Sequence, residues 1–375
     1  MDMQSILSWK SNDESFDIFE NFNQTLFESI REWPEYGAPD DLGTRLNNCV
    51  EELKTLSTES LIRIITAPET YTRSVEAIRA GQLAELLTFL QTSIMLERLR
   101  RGQTFTACSA GWSATGDFYH PGSPNLARMS ISSSFDAQNV YVSPRLLDSV
   151  VVDFFSPYAC RDLPVASFRP VQFGPYSPYT SAEVSLVSKK LEAAVALLAE
   201  VSPTTTEFVR RFVISIIPRK ETINPTFFTS SSCNAYIGRI ILINPHIDDV
   251  DESALVDSLI HEAIHSLLWR AEMLRPFITD TSKVTGTTRS PWTGSELHLY
   301  TFLQACFVWF GLLTVWELPR AKEVFDPALV DKYVGRAKRG FLNGRMTASV
   351  EPFKDALRPG LRAELEQLQA RAALA

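Results

Sequence analysis

Cysteine is scarce in this 375-residue chain, and the five present (Cys49, Cys108, Cys160, Cys233, Cys306) are far apart and form no CxxC pair. That spacing excludes a disulfide scaffold and a cysteine-built zinc site, and it suits a reducing compartment. Positive charge is in deficit: 36 Lys+Arg stand against 44 Asp+Glu, for a net charge of −8. A general nucleic-acid binder needs a basic face, so that class is excluded. The N-terminus lacks a basic start followed by an apolar run, so no signal peptide is expected and the cytoplasm is the expected location. Long apolar runs are also missing, apart from Leu297–Leu318. That run contains His298, Gln304 and Glu317 and has no positive cluster at its flanks, so it reads as a buried helix and no membrane partner is expected. There is no internal repeat and no low-complexity tract.

What is present is ordinary globular usage, 45% hydrophobic and 21% charged. Residues 1–60 are acidic, with 13 Asp/Glu against 4 Lys/Arg; residues 319–375 carry 11 Lys/Arg against 7 Asp/Glu. Apolar residues recur at helical spacing in Ser60–Thr66, Val75–Ala80 and Leu83–Leu99. Residues 102–180, rich in Ser, Gly, Pro and aromatics, read as loops and short strands. Ser181–Val201 is an amphipathic helix with Val184, Val187, Leu191, Val195 and Leu198 on one stripe. Arg211–Pro218 and Ala235–Asn244 are strand candidates. A helix is expected from Glu252 to about Leu274, another from about Ser295, and two more near Pro327–Arg339 and Pro352–Ala373. The expected organisation is a helical N-terminal region (1–105), a catalytic core (106–318) and C-terminal helices (319–375).

The chemistry sits in His261-Glu262-Ala263-Ile264-His265. On a helix, residues four apart share a face, so both imidazoles can address one metal ion. Neutral imidazole suits zinc, iron, copper and nickel, so the spacing does not choose the metal. Glu262 lies about 100° round the helix, where it reaches a metal-bound water rather than the ion. A third ligand is needed. His120, in a Tyr-His-Pro-Gly loop, reads as an exposed turn histidine, and His246 reads as an ordinary residue at a strand end. Glu296 and His298 remain. Glu296 has a competing role as the glutamate of a Thr293-Gly-Ser-Glu296 capping box. His298 shares a stripe with Phe302, Ala305 and Trp309, which points it into the core and puts it ahead of Glu296. The expected fold is α+β and predominantly helical, with a small twisted sheet beside the HExxH helix, as in zincin-like cores.

Residues 211–315 resemble the HExxH-type, 2-oxoglutarate-dependent peptide β-hydroxylases found with ribosomally made, modified peptides. The resemblance is carried by a strand ending in Asn244-Pro245, by Leu259-Ile-His261-Glu-Ala-Ile-His265, by Ser290-Pro291-Trp292, and by His298 opening an aromatic-rich helix. It covers barely a third of the chain, and only Thr293–Leu297 intervene between Trp292 and His298, where family members have a longer stretch. The resemblance implies Fe(II) held by His261, His265 and His298. It implies 2-oxoglutarate as cosubstrate, decarboxylated to succinate as a peptide β-carbon is hydroxylated, with a leader-bearing precursor peptide as partner. The distal carboxylate of the cosubstrate asks for an arginine; Arg289 is the first candidate and Arg239 the second, and Trp292 could wall the pocket. The rival reading is a zinc metallopeptidase with Glu262 as general base, its peptide held by strand addition to Ala235–Asn244.

Overall fold

Apolar residues three and four apart set most of the secondary structure, and 61% of the described residues are helical, as befits an α+β protein dominated by helices. The computed structural model describes residues 3–32, 40–103, 109–122, 131–132, 135–160 and 176–374; Cys108 lies outside them. Two compact units are present, each assembled from separated stretches: Met1–Phe19, Ala193–Phe212 and Glu252–Ala375 form one, and Glu20–Glu192 with Val213–Asp251 form the other.

The first unit is helical. The motif helix, Glu252–Leu274, buries Leu255, Val256, Leu259, Ile260, Ala263, Ile264, Leu267 and Leu268 almost completely. It packs against the helices Pro203–Phe212 and Leu299–Trp316, and the latter packs in turn on Pro327–Asn343. Leu299–Trp316 is apolar on nearly every side, which a helix accepts only when it is surrounded. It is long and apolar enough to cross a membrane by length and composition, yet 72% of it is buried within the structure, as a core helix of a soluble protein is. Gly311 permits its close approach to the motif helix, because a Cβ there would lie 2.6 Å from Ile264 Cδ1. Trp9 completes this contact, its Nε1 donating to Gly311 O at 2.9 Å.

The second unit carries a five-stranded sheet in the order Arg145–Leu146, Val150–Val152, Ser215–Arg219, Arg239–Ile243, Thr229–Ser231. The two central pairings are parallel, with Ser215 opposite Arg239 and Arg219 opposite Ile243; the outer two are antiparallel. Every residue of the two strands Ser215–Arg219 and Arg239–Ile243 is buried, as parallel strands covered on both faces are. Gly111–Trp112, Phe118–His120, Val140–Val142 and Ile131–Ser132 make a second, four-stranded sheet. Asn244 ends the strand Arg239–Ile243 at φ +53, a left-handed conformation that asparagine tolerates. Its Oδ1 accepts from Glu221 N at 2.7 Å and its Nδ2 donates to Phe227 O at 2.9 Å, which ties the loop after Ser215–Arg219 to the strand end.

Two expectations are corrected. The strand placed over Arg211–Pro218 begins only at Ser215, because Pro203–Phe212 is a helix burying Thr205, Phe208, Val209 and Phe212. That spacing is helical, and Pro203 opens the first turn, where its missing N–H costs nothing. The helix expected from Ser295 begins at Leu299, because Thr288–Arg289 and Glu296–Leu297 pair as an antiparallel hairpin just before it.

Candidate metal centre

The imidazoles of His261 and His265 lie on one side of the motif helix with ring centroids 5.0 Å apart and planes inclined at 55°. This is the disposition the four-residue spacing requires. Each ring is backed by an aromatic. Trp269 stacks on His265 at 5.5 Å, and Trp309 meets His261 edge-on at 6.4 Å. Trp309 in turn stacks on Trp292 at 5.9 Å. Trp292 is itself anchored by donation from its Nε1 to Ala337 O at 2.8 Å. Trp292 thus lies one ring removed from His261.

His265 is gripped by Gln304, an interior residue of the next helix. Gln304 Oε1 lies 2.6 Å from His265 Nδ1. Gln304 Nε2 donates to Tyr300 OH at 2.9 Å and points toward Glu272 Oε1 at 3.5 Å. Tyr300 also hydrogen-bonds the Glu272 carboxyl. Burial, reinforced by the neighbouring His261, pushes His265 down to about 4, so the ring is neutral at pH 7. Neutral imidazole is the form that binds metals. Burial pushes the Glu272 carboxyl up to about 8.

The Glu272 shift has a testable sign. A carboxyl raised in the folded state contributes stability that is fully present below its unfolded value of 4.5 and is lost as pH rises through about 8. The stability of the wild type relative to Glu272→Gln should therefore fall steadily between about pH 5 and pH 9 in urea titrations. A difference that stays flat across this range would show that Glu272 ionises freely in the folded protein.

Among the residues expected at the site, His261, Glu262 and His265 stand on the motif helix and Trp292 reaches them through Trp309; His298, Glu296 and Arg289 belong to the same unit. His298 is exposed, against the expectation of a core position. The stripe through Phe302, Ala305 and Trp309 presumed helical angles at residue 298. His298 is instead the N-cap, at φ −60 and ψ 149, so the helical period does not reach it. Glu296 is exposed and accepts from Thr287 Oγ1 at 2.6 Å within the hairpin; it caps no helix. Glu262 is 97% buried, being 3% exposed, on the motif helix. Arg289 is exposed, with its Nε donating to Gly294 O at 3.2 Å. Among the described residues, no group of three His, Cys, Asp or Glu side chains is arranged to hold a metal ion.

The remaining candidates belong to the second unit. Arg239 is buried and paired with Glu69 at 2.8 Å, over the ring of Tyr236. His120, expected in an exposed turn, is fully buried at the end of a strand, where its Nδ1 accepts from Gly122 N at 3.1 Å. His246 is half-buried, edge-on to Tyr179 at 5.6 Å. The strand proposed to receive a peptide is flanked on both sides, by Ser215–Arg219 and Thr229–Ser231. Its ladder groups are taken, which excludes strand addition there.

Gln304, Tyr300 and Glu272 escaped the sequence reading. Glu272 had a signal: it lies seven residues after His265 and eleven after His261, both close to whole numbers of turns. Gln304 had a weaker one, as a polar residue inside an apolar helix. No family model matches the chain, and no curated protein matches it.

Proposed function

We propose that this chain is an iron(II)- and 2-oxoglutarate-dependent hydroxylase acting at the β-carbon of a peptide residue, with a zincin-like core and a ribosomally made precursor peptide as substrate. The observation that carries the reading is the pair of imidazoles on one face of the motif helix, the second held through its Nδ1 by Gln304. Those two rings offer nitrogen donors to a divalent ion, and His261 and His265 would hold it. His298 is exposed at the start of the next helix and is left out of this proposed ligand set. When bound, iron(II) supplies the oxidative chemistry that couples decarboxylation of 2-oxoglutarate to hydroxylation.

The chain's own residues do the rest. Trp309 and Trp269 back the imidazoles with apolar surface, and Trp292 stacks behind Trp309. Arg289 is the better carboxylate partner for the cosubstrate, since among the described residues its side chain is engaged through Nε alone, by a backbone carbonyl. Arg239 is committed to Glu69.

One observation favours a second reading, a zinc metallopeptidase. Glu262 is intact and buried beside the first histidine, where it would serve as general base toward a water. The two readings part in one experiment. With iron(II), 2-oxoglutarate and candidate precursor peptides, the hydroxylase releases succinate and adds one oxygen atom to the peptide, and Glu262→Gln retains this activity. Peptide cleavage with zinc, abolished in Glu262→Gln and accompanied by no succinate, would replace it with the peptidase.

A further inference from the structure

We infer that Gln304 is a positioning residue that fixes the tautomer of His265, keeping the proton on Nδ1 and the lone pair on Nε2 for a divalent cation. The inference rests on the reading of His261 and His265 as metal ligands and extends it to a residue outside the HExxH motif. Its basis is the set of atoms that the Gln304 side chain meets. Two oxygens, Tyr300 OH at 2.9 Å and Glu272 Oε1 at 3.5 Å, face the nitrogen end of the Gln304 amide. With its nitrogen committed, Gln304 can only turn its Oε1 to His265, and a carbonyl oxygen accepts but never donates. Nδ1 of His265 must therefore carry the proton, at a 2.6 Å separation.

Flipping the Gln304 amide would reverse the consequence. Its NH2 would face Nδ1, which would have to accept, and the ring proton would move to Nε2, the nitrogen a metal needs. The contacts to Tyr300 and Glu272 oppose that flip. Gln304 is buried among Phe302, Leu303, Cys306 and Phe307, where an unpaired amide would be costly. Outer partners of this kind commonly set the orientation and basicity of a ligating histidine. An amide acceptor orients the ring without adding a second negative charge beside it.

Two variants of nearly equal size separate positioning from packing. Gln304→Met removes the acceptor and keeps the volume; Gln304→Glu keeps an acceptor. The first readout is the long-range proton–nitrogen NMR correlation of the His265 ring in metal-free protein at about pH 8, above the histidine titration range. The wild type and Gln304→Glu should show a protonated Nδ1, and Gln304→Met should populate the Nε2–H form. The second readout is zinc(II) affinity by chelator competition. Gln304→Met should lose roughly 10–100-fold, with Gln304→Glu rescuing most of it. A wild-type ring protonated on Nε2, or a Gln304→Met protein with unchanged tautomer, overturns the assignment. The tautomer is read without metal, so a wild type that binds no zinc would defeat the functional reading while the NMR result still decides the role of Gln304.

Discussion

Under the proposed function, His261→Ala and His265→Ala should each lose stoichiometric iron(II) and zinc(II), and hydroxylation should fall by more than the roughly 10–100-fold that losing an outer partner costs. The motif helix brings two imidazoles to one face, and among the described residues no third His, Cys, Asp or Glu joins them. Removing either ring leaves a single protein donor, which cannot hold a divalent ion against water. His298→Ala is the control: its side chain is exposed at the helix start, so the ion should stay. Equilibrium dialysis followed by elemental analysis reads all three. Full metal content in both motif variants, or its loss in His298→Ala alone, would move the site away from the motif helix.

The second large effect is on stability. Trp292→Ala should cost about 3–5 kcal/mol, the usual range for deleting a buried aromatic. Its indole donates to Ala337 O and crosses the Pro327–Asn343 helix at Gly340, where an added Cβ would fall inside the ring. An indole is rigid, so Gly340→Ala should cost about 1–3 kcal/mol or more through overpacking. In the Trp292→Ala background the clash is gone, and alanine should then stabilise that helix by up to about 1 kcal/mol over glycine. A change of sign between backgrounds is the signature of direct contact. Urea unfolding of the four proteins measures it; equal effects of Gly340→Ala in both backgrounds would refute the packing described.

The parts legible in the sequence were those governed by a single period. Ser181–Val201 and the motif helix appear where Val184, Leu191 and Leu198, or Val256, Ile260, Ala263 and Leu267, repeat on one face. Legibility failed where two patterns met. Arg211-Phe-Val-Ile is β-branched enough for a strand, yet Phe212 is the last buried residue of a helix whose stripe began at Thr205. At His298 the helical period was extended one residue too far, across an N-cap whose extended backbone turns the side chain outward. Gln304, Tyr300 and Glu272 depend on which helix packs against which, and local spacing carries no such information. The two histidines were legible because their relation is contained within a single turn.

X-ray absorption at the iron edge of anaerobically loaded protein tests the central claim most directly. Two imidazole scatterers in the wild type, falling to one in His265→Ala wherever residual metal remains, is the predicted result. A shell of oxygen donors with no imidazole scattering in the wild type would contradict it.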